Sequence, residues 1–237
     1  QRVRAAVTVL SIGLALGALD FYGDNAPRVH IIEGEGGLTP GRVSEAMAAA
    51  GTASLRNVIL HVDWNQASID SNRVCREDDR PGDYVQWTPM ELFYLHDWNV
   101  IEVPDGRDFQ QVIAAQRLAA SLATGQPTAI VYRTVKGWKY GVEGRASHGA
   151  GHKFCSAEFH DSVYPLLEKG GGKLPSCEIA ISRCEAGKRK DVVEECLWQS
   201  LLVLREALET HIDATTMLAR RLIASRDRLD AAARKPR

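Results

Sequence analysis

Short apolar runs alternate with helical periods from Val29 to about Arg133, and that alternation predicts βαβ units around a mostly parallel sheet. Val29-His30-Ile31-Ile32 and Val58-Ile59-Leu60-His61-Val62 read as buried strands, as do Val100 to Val103 and Pro127 to Tyr132. Between the first two, Pro40-Gly41 opens a helix through Ser44 to Ala50, because proline near the start and an alanine-rich run both favour that state. Ser68 to Tyr84 is polar and carries Asp78-Asp79-Arg80-Pro81-Gly82-Asp83, which predicts a loop. Thr88-Pro89-Met90-Glu91 has an N-cap and a first-turn proline and starts a short helix. Pro104-Asp105-Gly106 marks a turn, and Asp108 caps a helix whose Val112, Ile113, Leu118 and Leu122 are expected to share one stripe.

Outside this block the pattern changes. Arg2 and Arg4 precede an apolar run, Ala5 to Leu19, in the manner of a secretory signal. Gly13 and Gly17 interrupt it, and no small-x-small site follows before Asp20. It is also shorter than the roughly 20 apolar residues that span a bilayer, so a buried helix is expected. After the last strand, glycines crowd Lys136 to His152, the mark of a loop lying close to a ligand or another backbone. Gly170-Gly171-Gly172 reads as a boundary, and Asp191 to Ala233 as helices with an apolar stripe, suited to packing or subunit docking. The expected organisation is an α/β domain over 1–169 and a mainly helical extension over 173–237.

Composition narrows the function classes. The chain of 237 residues is 45% hydrophobic and 25% charged, ordinary for a soluble globular protein. A formal net charge of −1 gives no global reason to expect nucleic acid or a membrane surface as partner. Lys188-Arg189-Lys190 and the Arg234 to Arg237 tail read as solvated ends. Five cysteines without a CxxC pair fit a reducing compartment, hence a cytoplasmic location.

The candidate chemistry sits where strands end. Gly34-Glu35-Gly36 follows the first strand and Asp63-Trp64-Asn65 closes the second, so a carboxylate and an amide should meet at the carboxyl edge of the sheet. A carboxylate oxygen, an amide oxygen and a backbone carbonyl are hard donors suited to Mg²⁺ or Ca²⁺, which keeps open positions for diphosphate oxygens. His148, His152 and Cys155 supply only three zinc donors, and structural zinc needs four. Lys136 and Lys139 could contact phosphate, but two lysines in an exposed loop are more often solvated. There is no Walker A, Rossmann or GxSxG element.

Taken in order, Gly34-Glu35-Gly36, Glu45-Ala46, Asp63-Trp64-Asn65, Ile69-Asp70, Asp97-Trp98, Asp105-Gly106, Thr134-Val135-Lys136-Gly137 and Ser147-His148-Gly149 form a familiar series. It resembles the diphosphate-binding (PP) domain of thiamine-diphosphate enzymes, and within these the transketolase family, over about Gly13 to His152. The resemblance implies thiamine diphosphate and Mg²⁺ (or Ca²⁺) as cofactors. Glu35 stands at the family's metal-binding aspartate, Asn65 at its metal-binding asparagine, and the carbonyl of Ala67 at the usual backbone ligand. Gly34 and Gly36 fall in the cofactor-binding segment, where the backbone of Gly36 approaches the diphosphate. His148 matches a histidine on the diphosphate and substrate side and is the candidate catalytic group. Glu45 matches a glutamate of the acidic network that links paired active sites, and Gly13, Leu14 and Gly17 the tail of an upstream glycine-rich segment.

Three positions depart from the family pattern. Glu35 replaces Asp, Pro40 stands where another linking glutamate is usual, and Ser71-Asn72 replaces the glycine of IDG. A Pyr domain, which in the family binds the aminopyrimidine and supplies the activating glutamate, is not expected after His152. The resemblance therefore implies half of an active site, completed by a Pyr-domain chain in a homo- or hetero-oligomer, either as a split enzyme or as a piece of a longer chain. The expected reaction is ketol transfer between sugar phosphates. A 2-oxoacid dehydrogenase E1-type subunit acting on a 2-oxoacid, or a non-catalytic assembly module retaining the fold, are the alternatives.

Overall fold

The computed structural model describes residues 2–149, 159, 161–163, 165 and 190–233. They fall in two compact units, one of residues up to 138 together with 143–149, the other of 139–142 and the C-terminal part. The proposed boundary at Gly170 to Gly172 lies outside the described residues, as do His152 and Cys155.

The first unit is built on four parallel strands in the order β1-β2-β4-β3. These are β1 (Val29–Gly34), β2 (Val58–Trp64), β3 (Asn99–Val103) and β4 (Thr128–Arg133). Their register places Gly34 beside Asp63 and Asp63 beside Tyr132, so the ends of three strands come level at one edge. Each predicted strand is present.

Helices cover both faces. On one, α1 (Arg2–Tyr22), α3 (Gly41–Thr52) and α4 (Pro89–Leu95) enclose Ile31, Leu60, Val62 and Val131 with Met47, Phe93 and Trp98. On the other, α5 (Phe109–Ser121) packs on Ile59, Val103, Ile130 and Tyr132. The local signals read from sequence operate here. Thr88 and Glu91 form a reciprocal capping box with Pro89 in the first turn, and Asp108 accepts the Gln110 N–H at 2.8 Å.

Two expectations need correction. In α5 the buried residues are Ala115 and Ala119, beside a partly buried Val112, while Ile113, Leu118 and Leu122 remain 48%, 49% and 37% exposed. At ~100° per residue, steps of three and four from Val112 reach the alanines, whose small side chains let the helix lie close to the sheet. Helix α1 is not buried all round. Thr8, Ile12 and Ala15 face inward, whereas Val7, Leu10 and Leu14 are more than half exposed. It is also longer than expected, and Val7–Asn25, 19 residues, is long and apolar enough to cross a membrane by length and composition. Polar ties hold α1 to the α/β unit, with Thr8 donating to Glu33 at 3.2 Å and Asn57 donating to the Ala15 carbonyl at 2.9 Å.

In the second unit, α6 (Lys190–Thr210) and α7 (Ile212–Ala231) meet at His211. Among their described side chains Val203 is buried, while Leu197, Leu201, Leu204 and Leu208 are exposed.

Candidate functional site

The carboxyl edge of the sheet opens into a cleft of about 580 Å³. It brings together Gly34, Glu35, Gly36, Asn65, Ala67 and His148, with Asp63, Ser68, Asp70, Tyr84 and Lys136 also on its wall. All six residues singled out from sequence thus share one cavity.

Glu35 is its most constrained group. Strand β1 ends at Gly34, whose extended backbone turns the chain into the four-residue helix α2 (Glu35–Leu38). The side chain points inward and is 1% exposed. Oε2 accepts the backbone N–H of Asn65 at 3.2 Å, while Oε1 is buried without a hydrogen-bond partner. Burial is the main cause that pushes the Glu35 carboxyl up to about 7, opposed by its own backbone amide and that of Asn65, with Asp63 adding repulsion and Arg133 offsetting part of it. A buried carboxylate oxygen with nothing to bond is costly unless a cation or proton reaches it.

Glu35 meets Asn65 through the Asn65 backbone N–H and not, as expected from sequence, through its side-chain amide. The Asn65 side chain is held by other groups, Nδ2 donating to Asp63 at 2.7 Å and Oδ1 accepting the Ala67 N–H at 2.9 Å. These contacts fix which end of the amide is oxygen. Oδ1 retains a second lone pair. Asp63 is itself anchored by the Thr134 hydroxyl from the end of β4.

Glycines shape the floor. A Cβ on Gly37 would lie 2.2 Å from Glu33 Oε1, so a side chain there requires the Glu33 carboxylate to move, whereas a Cβ on Gly36 would meet nothing within 4 Å. Packing does not require glycine at Gly36, and its bare backbone lines the cleft.

Sequence reading missed the braces. Arg133 pairs bidentately with Glu77, at 2.6 and 3.2 Å, and donates to the Trp64 carbonyl at 3.1 Å, stapling the 68–84 loop to the sheet edge. Gln66, at φ +62°, closes a two-way bond with the Cys75 backbone, at 2.9 and 3.1 Å. The Tyr84 and Ser68 hydroxyls hold the Asp70 carboxyl below its usual range. Cys75 is fully buried, and burial pushes its thiol up, the environment of a structural cysteine. Glu45 is exposed on α3.

The oxygen donors of this wall suit a hard divalent cation. Glu35 Oε1 needs a partner, and Asn65 Oδ1 and the Ala67 carbonyl can complete a mixed set. Among the described residues no three His, Cys, Asp or Glu side chains group around a metal position, so any site here is of this mixed kind.

Comparison with known proteins places the domain in a family. The family described as "Transketolase, thiamine diphosphate binding domain" matches residues 24–159. A transketolase of Candida albicans is 33% identical over 120 residues, covering 51% of this chain and 16% of that protein. One of Physarum polycephalum is 25% identical over 182 residues, covering 73% and 25%. The chain thus spans no more than a quarter of the length of these two relatives. Among solved structures, a transketolase of Campylobacter jejuni superposes with a TM-score of 0.53 at 20% identity, over 88% of this chain and 32% of the other. A transketolase of Pichia stipitis in complex with sedoheptulose-7-phosphate gives 0.52 at 22%, over 93% and 31%. At such identities the structures speak for the fold.

Proposed function

Since this chain belongs to the transketolase family, we propose that it forms the diphosphate-binding half of a thiamine-diphosphate-dependent transferase active site. The observation that carries this reading is the buried carboxylate of Glu35, one oxygen without a partner, on a residue that lines a cleft with Gly36, Asn65 and Ala67. Glu35, Asn65 Oδ1 and the Ala67 carbonyl hold Mg²⁺ or Ca²⁺, which neutralises and orients the diphosphate. The extra methylene of Glu35 relative to aspartate lets it bridge from the end of β1 to the Asn65 amide at the end of β2. Bare backbone at Gly34 and Gly36 admits the phosphate oxygens.

Thiamine diphosphate, when bound, supplies the carbanion chemistry. The protein's part is placement. Asp63 fixes the Asn65 amide, Arg133 and Gln66 hold the 66–84 loop, and His148 offers a hydrogen bond to an oxygen on the substrate side. A Pyr-domain chain or domain completes the site, and the substrates are sugar phosphates exchanging a two-carbon ketol unit. The sugar class is what membership of the transketolase family implies.

Product analysis tests this. With a Pyr-domain partner, Mg²⁺ and thiamine diphosphate, the chain should transfer a ketol unit from a ketose phosphate to an aldose phosphate. Decarboxylation of pyruvate instead would identify a 2-oxoacid dehydrogenase E1-type subunit. Cofactor binding without turnover of either substrate would identify an assembly module.

A further inference from the structure

We propose that Lys136 is a positioning residue that fixes His148 as an Nε2–H donor in the diphosphate cleft. The inference rests on the diphosphate reading above. Lys136 Nζ lies 2.7 Å from His148 Nδ1. An ammonium group has donors and no acceptor, so Nδ1 must carry a lone pair and the ring's N–H must sit on Nε2. The tautomer follows from the partner, without any hydrogen being located.

The contact is built into the backbone on both sides. The Lys136 carbonyl accepts the Gly144 N–H at 2.9 Å, and Gly137 turns the chain at φ +78° immediately after it. His148 donates its N–H to the Arg145 carbonyl at 3.0 Å. Arg145 is tied to the opposite loop, its N–H donating to Asn72 Oδ1 at 2.6 Å and its guanidinium to the Asp70 carbonyl at 3.1 Å. A Cβ on Gly144 would lie 2.6 Å from Asn72 Oδ1, so the loop closes against that amide. The Ser71-Asn72 departure thus supplies the clamp for the segment that carries His148.

Charge gives the pair its purpose. The cleft wall carries three carboxylates, Glu35, Asp63 and Asp70, and Lys136 is its one Lys or Arg among the described residues. A diphosphate presents only acceptor oxygens. An Nδ1–H tautomer would leave a lone pair at Nε2 to repel such an oxygen, whereas the tautomer that Lys136 imposes offers a proton. The ammonium keeps two further N–H groups for the same kind of ligand.

The test uses the full chain and two readouts. Long-range ¹H–¹⁵N NMR of the imidazoles, with His148 assigned by subtracting the His148→Gln spectrum, reads the tautomer. Calorimetric titration of inorganic pyrophosphate at saturating Mg²⁺ reads the affinity. Wild type should show the Nε2–H pattern. Lys136→Met should show mixed tautomers and bind about tenfold more weakly, the scale of one charge-assisted hydrogen bond. Lys136→Arg, which keeps a cationic donor, should restore both. An unchanged tautomer in Lys136→Met overturns the positioning role, whether or not affinity falls. If wild type binds pyrophosphate and Lys136→Met binds equally well, the inference fails while the diphosphate reading stands. If wild type does not bind it, the diphosphate reading fails and takes this role of Lys136 with it.

Discussion

The backbone amide of Asn65 donates to Glu35 Oε2 at 3.2 Å, joining the ends of β1 and β2 and leaving Glu35 Oε1 buried without a partner. That single contact orients the carboxylate and leaves one of its oxygens unsatisfied in the fold. It also makes the metal-free site a weak point in the fold.

A pH dependence follows from this. Burial raises the Glu35 carboxyl from 4.5 to about 7. A folded-state value above the unfolded one means that the favourable contribution is complete below 4.5 and is lost as pH rises through 7. The cost of ionising Glu35 in the metal-free fold is roughly 3 kcal/mol, at about 1.4 kcal/mol per pKa unit. Urea denaturation between pH 4.5 and 8 should therefore show metal-free wild type losing stability relative to Glu35→Gln. Parallel pH profiles for the two proteins would refute this. Saturating Mg²⁺ should shrink the difference, because it binds the ionised form.

The neighbouring glycines separate architecture from function. Gly37→Ala forces the Glu33 carboxylate off its bonds to Thr8 and the Gly34 amide and should cost about 2–3 kcal/mol. Gly36→Ala meets no atom within 4 Å and should leave the melting temperature unchanged. Its effect should be confined to weaker Mg²⁺-dependent diphosphate binding. Calorimetry of both variants checks this, and equal destabilisation by the two would contradict it.

Arg133 should prove irreplaceable by lysine. Its fork binds Glu77 twice while reaching the Trp64 carbonyl, a geometry that a point charge cannot reproduce. Arg133→Lys and Arg133→Met should both destabilise by roughly 1–3 kcal/mol and raise amide exchange across residues 68–84. Exchange rates in Arg133→Lys matching wild type would disprove the staple.

Gln66→Ala removes both bonds to the Cys75 backbone and leaves a buried N–H and C=O unmet, at a cost of about 2–3 kcal/mol. Chemical denaturation measures it, and a change below about 0.5 kcal/mol would mean that water replaces the side chain.

Strands and caps were legible in the sequence because their causes are local. Val58 to Val62 needs only its own apolar run, and Thr88 with Glu91 only a three-residue spacing. The stripe of α5 was misread because Ala115 and Ala119 bury well without being large, while Ile113 and Leu118 are large and stay outside. In the site, strand-end motifs pointed to Glu35 and Asn65, and these do share a cleft. The brace from Arg133 to Glu77 spans 56 positions and the clamp from Asn72 to Arg145 spans 73, so no local pattern carries them. Lys136 reads as a solvated lysine in the sequence because its partner, His148, is reached only when the glycine-rich loop folds back.

The most direct test of the metal-bridged diphosphate site is a titration of Mn²⁺, in place of Mg²⁺, followed by electron paramagnetic resonance with and without thiamine diphosphate. Wild type should bind one Mn²⁺ more tightly when the cofactor is present, and Glu35→Ala should lose that enhancement. Equal Mn²⁺ binding by wild type and Glu35→Ala, or none by either, would contradict the assignment of Glu35 as the metal-holding carboxylate.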